Sequence, residues 1–317
     1  MSENGKRVRV GIVGCGRMGG ERAARAAGLG AEIQGCADSD VERARALASK
    51  AGAKIAVADP AMLPWDQLDA VFVCTPPSVR RDVVQLALQA RVATMVEKPI
   101  GLRAEDGEEL AEAVARAGII NAVGYMNRYR ESVRLAKSLA ERHEVVAVMC
   151  HWACKPYSVP WWGLADQSGG AINEQATHVV DLCRFVAGEV TEVKALSSGA
   201  RDATDSATTR IAAALLFKSG GVGTLAYTCD APDKFIAFEM VTRAGALRLE
   251  GWDFALAWNT IEGASLPGLG DAFEAETRAF LTAAATKEQS LIACSFEEAV
   301  RTQAVVDSLR ATAAAMA

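Results

Sequence analysis

A glycine-rich turn between a strand and a helix constrains the fold of this chain more than any other stretch. Residues 7–13 are rich in valine and predict a β-strand, and the alanine-rich residues 21–27 predict a helix. The turn between them is Gly14-Cys15-Gly16-Arg17-Met18-Gly19, a G-x-G-x-x-G pattern in the context that gives it meaning. Gly14 allows the tight turn, Gly16 lets the backbone approach a pyrophosphate, and Gly19 permits close packing of helix on strand. The N–H groups and the positive dipole end of the helix are expected to bind the phosphates.

An acidic residue at the end of the next predicted strand indicates which dinucleotide this turn binds. Residues 32–37 predict that strand, and Asp38 follows it about twenty residues past the glycines, where a carboxylate binds the adenosine ribose hydroxyls. A carboxylate at this position repels a 2′-phosphate, so NAD is favoured. NADP remains the alternative, because Ser39 and Arg43 stand nearby and an arginine accommodates that phosphate. Asp38 has a second interpretation as the N-cap of a helix over residues 41–51.

Strands and helices alternate through the first part of the chain. Strand patterns occupy residues 55–57, 69–74, 93–96 and 120–124, and helical patterns occupy residues 80–90 and 105–117. This alternation predicts a doubly wound parallel sheet, an N-terminal α/β Rossmann domain over residues 1–123.

The strand over residues 93–96 ends in Glu97-Lys98-Pro99. Pro99 gives no N–H group to a ladder, so the strand cannot continue past it. Ligands of open α/β sheets bind just outside the carboxyl ends of the strands, so Lys98 falls where chemistry is expected, where the two halves of the chain meet. The Lys98–Pro99 peptide bond is expected to be cis, because X–Pro is the place where a cis bond costs little.

Composition bounds the class of protein. The chain has 317 residues, 50% of them hydrophobic, which is enough for two cores, and a formal net charge of −5 without a basic block. Nucleic acid and anionic membranes are therefore not expected as partners, and no apolar run has membrane-spanning or leader character. The eight cysteines are scattered, which predicts reduced thiols in a cytoplasmic protein. Cys150 and Cys154 lack the second ligand pair of a zinc site, so no metal is expected.

The second half of the chain contains mostly strand and hairpin patterns instead of the strand–helix alternation. Residues 145–150 predict a strand, and residues 208–217 with 222–228, and 235–242 with 246–250, predict two hairpins. Residues 271–286 and 296–315 predict closing helices, the last with Ser295 and Glu298 as a capping box. We expect a C-terminal α+β domain over residues 124–317, with a large, mostly antiparallel sheet covered on one face by helices.

Three histidines are the candidates for a general base. His143 lies in a polar turn and is expected at the surface, whereas His151 is expected at a strand end from which it reaches a cleft. His178 follows a glycine pair in a predicted helix, and Glu174 precedes it by four residues, so the two share a helix face. A lone helical histidine is usually structural, but this context favours a catalytic role for His178.

These motifs, taken in order, resemble one family. The glycine turn, then Cys74-Thr75-Pro76-Pro77-Ser78, then Glu97-Lys98-Pro99, and finally the glycine pair with Glu174, His178 and Asp181, are similar to the glucose–fructose oxidoreductase/inositol dehydrogenase/MocA (Gfo/Idh/MocA) family. The resemblance covers nearly the whole chain. It implies an NAD(P)-dependent oxidoreductase acting on sugars, cyclitols or related polyols. Glu174 stands where the family more often has aspartate, which leaves the substrate open more than the reaction.

The resemblance also implies roles for individual residues. Lys98, His178 and Glu174 form the expected catalytic set: His178 takes the hydroxyl proton, Glu174 orients it or binds a substrate hydroxyl, and Lys98 stabilises the alkoxide. The expected cofactor contacts are Gly14, Gly16, Arg17, Met18, Gly19, Asp38, Ser39, Arg43, Thr75, Pro76, Pro77, Glu97 and Lys98. The expected substrate contacts are Tyr125, Arg128, Trp161, Trp162, Glu174 and His178. Trp161 and Trp162 either stack on a sugar or pack between domains.

Other functions remain open from the sequence. An NADPH-dependent reductase of a keto-sugar or imine is the alternative within the enzymes. The fold is also compatible with a non-catalytic nucleotide-sensing regulator, or with an enzyme that oxidises a carbon transiently while it cleaves a neighbouring bond. The complete proton-transfer set argues against a regulator. By resemblance, the uncovered sheet face is expected to form a homodimer or homotetramer.

Overall fold

The computed structural model describes residues 7–198, 209–262 and 270–314. Three sequence expectations fall partly outside these ranges: the one for the N-terminus at residues 1–6, the first hairpin at residue 208 and the last helix at residue 315. The described chain divides into two compact units. The first contains the chain up to Tyr125 together with Phe273–Val300, and the second contains Met126–Ala272 and the chain from Arg301 onward. The domain boundary between residues 123 and 124 stays a prediction.

The first unit is built on a parallel sheet of the expected kind. Its strand order is β3-β2-β1-β4-β5-β6, and every neighbouring pair is parallel. The strands are β1 Arg9–Val13, β2 Glu32–Ala37, β3 Ile55–Val57, β4 Ala70–Val73, β5 Ala93–Val96 and β6 Asn121–Val123. This is the doubly wound order, in which ligands bind where the order reverses, between β1 and β4. The predicted α/β class is confirmed.

The helices follow the sequence patterns closely. They are α1 Arg17–Gly28, α2 Val41–Ala51, α3 Arg80–Ala90, α4 Ala104–Ala117, α5 Glu131–Arg142, α6 Ala165–Ser168, α7 Thr177–Ala187, α8 Ala272–Thr286 and α9 Phe296–Ala314. The backbone N–H of Glu298 donates to Ser295 Oγ at 3.2 Å, as the predicted cap requires. In the first unit, Phe280 of α8 packs edge-on against Phe72 of β4, with ring centroids 5.1 Å apart. Within the described ranges, every helix is too short or too polar to span a bilayer.

The second unit contains a seven-stranded mixed sheet. Its order is β13-β12-β11-β7-β10-β9-β8, and every neighbouring pair is antiparallel except β7 with β10. The strands are β7 Val145–Ala153, β8 Val190–Ser198, β9 Arg210–Phe217, β10 Val222–Thr228, β11 Phe235–Thr242, β12 Gly245–Glu250 and β13 Ala255–Asn259. The expected mostly antiparallel sheet and both hairpins are confirmed. The strand predicted to end at residue 150 continues to Ala153, because Trp152 is buried and pairs with both neighbouring strands.

The two faces of this second sheet differ. One face packs against α5, α7 and α9 in a core that includes Val148, Cys150 and Trp152. The other face, called the open face here, carries the residues that alternate with these along the strands. Its exposed large apolar residues are Leu196, Leu216, Val222, Phe235 and Trp258. The single helix-covered face matches the expectation from sequence.

Candidate active site

The glycine turn lies at the carboxyl end of β1, where its backbone is accessible. Gly14 has φ +89°, and a Cβ on it would lie 2.7 Å from the Cys74 carbonyl, so only glycine fits. A Cβ on Gly19 would lie 2.0 Å from the Gly14 carbonyl oxygen. A Cβ on Gly16 would meet no atom within 4 Å, which leaves open space beside the start of α1. This arrangement fits the pyrophosphate of a dinucleotide.

Asp38 joins the end of β2 to this turn. Its Oδ2 accepts a hydrogen bond from the Cys15 N–H at 2.8 Å, and its Oδ1 accepts one from the Asp40 N–H at 2.9 Å. The alternative role of Asp38 as a helix cap is wrong, because Asp40 is the N-cap of α2 and accepts from the Glu42 N–H. Arg43, the residue that kept NADP open, pairs with Asp40 at 3.0 Å. These contacts favour NAD.

Glu97 belongs to a buried ionic network inside the first unit. Arg22 of α1 contacts Glu97 Oε1 at 2.7 Å and Glu276 Oε2 at 2.6 Å, and both carboxylates are buried. Burial alone would lower the pKa of Arg22, but the charges of Glu97 and Glu276 raise it above its ordinary value. A Cβ on Gly124 would lie 2.9 Å from Glu97 Oε2. The structure therefore shows Glu97 as an internal ion-pair partner, and its role as a cofactor contact stays a prediction.

Lys98 differs from its neighbours in exposure. It is half-buried, whereas the other residues from 92 to 100 are buried. The Lys98–Pro99 bond is cis, which confirms the expectation from sequence. The ladder of β5 ends just before this point, where the Glu97 N–H donates to the Val73 carbonyl at 2.9 Å. Lys98 thus stands at the carboxyl end of β5, the edge at which ligands of such sheets bind.

Arg80 links the Lys98 region to the proline-containing turn after β4. This buried guanidinium donates to the Thr75 carbonyl from Nε and Nη2, at 3.1 and 2.8 Å. It also donates to the carbonyls of Lys98 and Pro99. Arg80 was not among the predicted site residues, because nothing in its helical pattern distinguishes it from Arg81.

The helix that carries Glu174 and His178 contains a feature that the sequence did not predict. Residues Ile172–Ala176 form a π-turn, in which the Thr177 N–H donates to the Ile172 carbonyl, and α7 follows directly. A π-turn holds more than the 3.6 residues of an α-turn, so a separation of four residues is closer to one full turn. Glu174 and His178 therefore still share a face, and both are buried.

Residues on either side of Glu174 hold the π-turn in place. Asn173 donates from Nδ2 to the Ser168 carbonyl at 2.8 Å and accepts from Gln303 at 2.7 Å. Gln175 donates to the Lys155 carbonyl at 3.1 Å and accepts from the Tyr227 hydroxyl at 2.7 Å. These side-chain bonds connect the π-turn to four surrounding residues of the second unit.

An aromatic surface supports His178. Its imidazole stacks on the indole of Trp152, with centroids 5.1 Å apart and planes 12° apart. Trp252 and Phe254 contact the same indole at 6.0 and 6.4 Å. This contact fixes the plane of the imidazole. The predicted strand ended at residue 150, before Trp152, so no local pattern pointed to this role.

The other two histidines lie elsewhere in the second unit. His151 is inside β7 rather than at its end, on the open face, where it stacks on Phe235 with centroids 4.4 Å apart. Burial and the nearby Arg248 lower the pKa of His151, and Glu239 opposes them. His143 caps the carboxyl end of α5. Of the three histidines, only His178 lies beside an acidic residue on a helix entered through a glycine pair.

The predicted substrate contacts have varied surroundings. Arg128 and Asp181 form a buried ion pair, with Nη2 to Oδ1 at 2.7 Å and Nε to Oδ2 at 3.0 Å, and the Thr302 hydroxyl donates to the same carboxylate. Trp162 is buried in the core of the second unit, and Trp161 is half-buried and packs against that core. The choice between sugar stacking and packing between domains stays a prediction. Tyr125 is buried in the core of the first unit. Substrate binding by these residues stays a prediction.

The fold and these residues define a class: an NAD-binding Rossmann unit followed by an α+β unit that carries a histidine–carboxylate pair. Residues 8–125 match the oxidoreductase family with the NAD-binding Rossmann fold, and residues 136–248 match the GFO/IDH/MocA C-terminal domain. The chain belongs to the Gfo/Idh/MocA family of oxidoreductases.

Individual relatives support this assignment. The chain is 30% identical to inositol 2-dehydrogenase 3 of Saccharopolyspora erythraea over 183 residues, which are 56% of this chain and 53% of that protein. It is 28% identical to D-apiose dehydrogenase of Paraburkholderia graminis over 211 residues, 61% and 53% of the two chains. The matches span about half the length of these curated relatives.

A solved structure shows the same fold over nearly the whole chain. The WlbA dehydrogenase of Bordetella pertussis, in complex with NADH and UDP-GlcNAcA, superimposes with a TM-score of 0.86 over 98% of both chains, at 22% identity. At this level of identity, the likeness concerns the fold.

Proposed function

We propose that this chain is an NAD-dependent dehydrogenase that transfers a hydride between a secondary alcohol carbon of a sugar, cyclitol or related polyol and the nicotinamide ring. The observation that carries the proposal is Lys98, the half-exposed residue at the carboxyl end of β5 in an otherwise buried run. The similarity to sugar and inositol dehydrogenases supports the substrate class.

Four groups carry out the proposed hydride transfer, each with its own role. NAD, when bound to the glycine turn and Asp38, supplies the hydride acceptor. The Lys98 ammonium donates a hydrogen bond to the reacting oxygen and stabilises the negative charge that develops on it. His178 takes the hydroxyl proton on an imidazole nitrogen. Stacking on Trp152 already fixes the plane of this imidazole. Glu174, one turn before it, orients the imidazole or binds a substrate hydroxyl.

The proposal includes the setting in which the chain works. The open face, with its exposed Leu216, Val222 and Phe235, supports a homodimer or homotetramer formed through this sheet. None of the eight cysteines forms a disulfide, which supports a reducing, cytoplasmic compartment. Within the described ranges, no group of three histidine, cysteine or acidic side chains is placed to bind a metal ion.

The test is turnover of a panel of cyclitols, aldoses and keto-sugars with NAD and NADP, in both directions, for the wild type and Lys98→Met. Loss of one preorganised donor is expected to lower kcat about 100- to 1000-fold, with NADH binding kept. Lys50→Met is the matched control, because Lys50 is exposed on α2. Tight NADH binding without turnover would indicate a nucleotide sensor or a lyase with bound cofactor. Full activity in Lys98→Met would remove Lys98 from the mechanism.

A further inference from the structure

One buried guanidinium binds backbone carbonyls of two separate turns in the first unit. Arg80 is the first residue of α3 and is 2% exposed. Its Nε and Nη2 donate to the Thr75 carbonyl, its Nη1 donates to the Pro99 carbonyl, and its Nη2 also lies 3.4 Å from the Lys98 carbonyl. The turn after β4 and the turn after β5 are therefore joined through one side chain.

The sheet itself does not join these turns. The ladder between β4 and β5 ends at the pair Val73 and Val96, so the residues beyond it are outside the sheet. Pro76, Pro77 and Pro99 have no N–H group to donate. Buried carbonyls need donors, and a guanidinium presents five N–H groups in a planar fork, which suits several carbonyls at once. A lysine ammonium is a compact charge without this fork.

We propose that Arg80 is a positioning residue for Lys98. The inference rests on the proposed function and adds the side chain that sets the geometry of its central group. Arg80 binds the Lys98 and Pro99 carbonyls to the Thr75 carbonyl, so the backbone from which the Lys98 side chain projects is fixed relative to the Thr75 turn. A displacement of about 1 Å in a reacting group costs on the order of 100-fold in rate.

The experiment compares Arg80→Lys and Arg80→Gln with the matched control Arg81→Gln. Arg81 is the next residue on α3, is exposed and pairs with Glu109 at the surface. For each variant, kcat is measured at saturating substrate and NAD, well below the unfolding temperature. The rate at which trinitrobenzenesulfonate modifies Lys98 is measured in parallel by peptide mass spectrometry, with and without NAD. The second measurement needs no substrate.

Both Arg80 variants are expected to lower kcat roughly 100-fold and to change the Lys98 modification rate, with Arg81→Gln equal to the wild type in both. A third variant, Arg80→Gly, leaves space for a free guanidinium ion. Added guanidinium chloride is expected to restore part of its kcat, whereas the same concentration of sodium chloride is not. Folded Arg80→Lys with wild-type kcat and an unchanged modification rate would overturn the inference, even if its unfolding temperature were lower. If the wild type turns over nothing in the panel, the proposed function fails, and the modification rates alone decide the role of Arg80.

Discussion

Asp38 uses both oxygens of its carboxylate on the backbone of the dinucleotide-binding region. One oxygen accepts from Cys15 in the glycine turn and the other accepts from Asp40 before α2. Each carboxylate oxygen has further acceptor capacity, so these bonds orient the group and leave it able to accept from ribose hydroxyls. The neighbouring Arg43, which could receive a 2′-phosphate, is paired with Asp40.

Replacing this carboxylate is expected to change the cofactor preference. In Asp38→Ser, NADH binding should weaken about 10- to 100-fold, because a hydrogen bond to a charged group contributes about 1.5–3 kcal/mol. The repulsion of a 2′-phosphate is lost at the same time. The dissociation constant of NADH divided by that of NADPH should therefore rise. Fluorescence titration with both cofactors measures this. Asp59→Ser, which keeps a capping side chain on the exposed turn after β3 and leaves Asp38, Asp40 and Arg43 intact, should retain the NADH preference. An unchanged ratio in Asp38→Ser would remove Asp38 from cofactor recognition.

The sequence predicted the residues of this region unevenly. The roles of the glycines, Asp38 and Lys98 could be predicted, because a turn, a strand end and a proline stand within a few positions of them. Arg22 and Arg80 were not, because their partners lie outside that range: Arg22 reaches Glu97 and Glu276, and Arg80 reaches the Lys98 turn. A helix pattern shows that such an arginine is on the inner face, but it does not show which groups it meets.

At the scale of elements, α1 has two functions in the first unit. Its start contributes N–H groups to the glycine turn, and its body places Arg22 between two buried carboxylates. Removing one member of a buried ionic network leaves the others charged and without compensation, which costs more than the network itself contributes. The stability of the first unit should therefore depend strongly on Arg22.

In Arg22→Met, the free energy of unfolding of the first unit should fall by about 3–5 kcal/mol. Arg25→Met is the matched control, because Arg22 and Arg25 both lie over the ring of Phe273 and differ in their ion pairs. Arg25 pairs with Glu21 on the partly exposed side of α1, and its loss should cost less than about 1 kcal/mol. Urea unfolding followed by fluorescence measures both. Equal losses in the two variants would contradict the special role of Arg22.

Element boundaries show where sequence patterns stop being informative. Strands and helices of the first unit were predictable from alternating patterns and turn residues. The extension of β7 to Ala153 was not, because Trp152 is buried by partners on β10 and β11 that lie far along the chain. The π-turn at Ile172–Ala176 has no periodic signature, because the side chains of Asn173 and Gln175 stabilise it through contacts with distant residues.

At the scale of the whole molecule, the open face of the second sheet is the surface on which assembly should depend. Ala226 lies near its centre on β10, paired with His151 on one side and Ala212 on the other. Its side chain is exposed, so a substitution there leaves the core intact.

Ala226→Glu is expected to convert the proposed oligomer to monomer. An unpaired charge buried in an interface costs about 3–5 kcal/mol, which corresponds to a rise in the dissociation constant of more than about 100-fold. Light scattering after size-exclusion chromatography measures the mass of each variant. Ala115→Glu, on the exposed side of α4 in the first unit, should keep the wild-type mass. An oligomer that survives in Ala226→Glu would place its interface on another surface.

The return of the chain to the first unit, after the second sheet has been made, has a consequence for its synthesis. Arg22 leaves the ribosome 254 residues before Glu276, and Phe72 leaves it long before Phe280. Domains tend to fold in order as they emerge. Here the NAD-binding unit stays incomplete until residues 273–300 have been translated, with Arg22 matched by Glu97 alone and part of its core without its covering helix. If translation stops after the second sheet and before residue 273, the released chain therefore lacks part of the unit that was synthesised first.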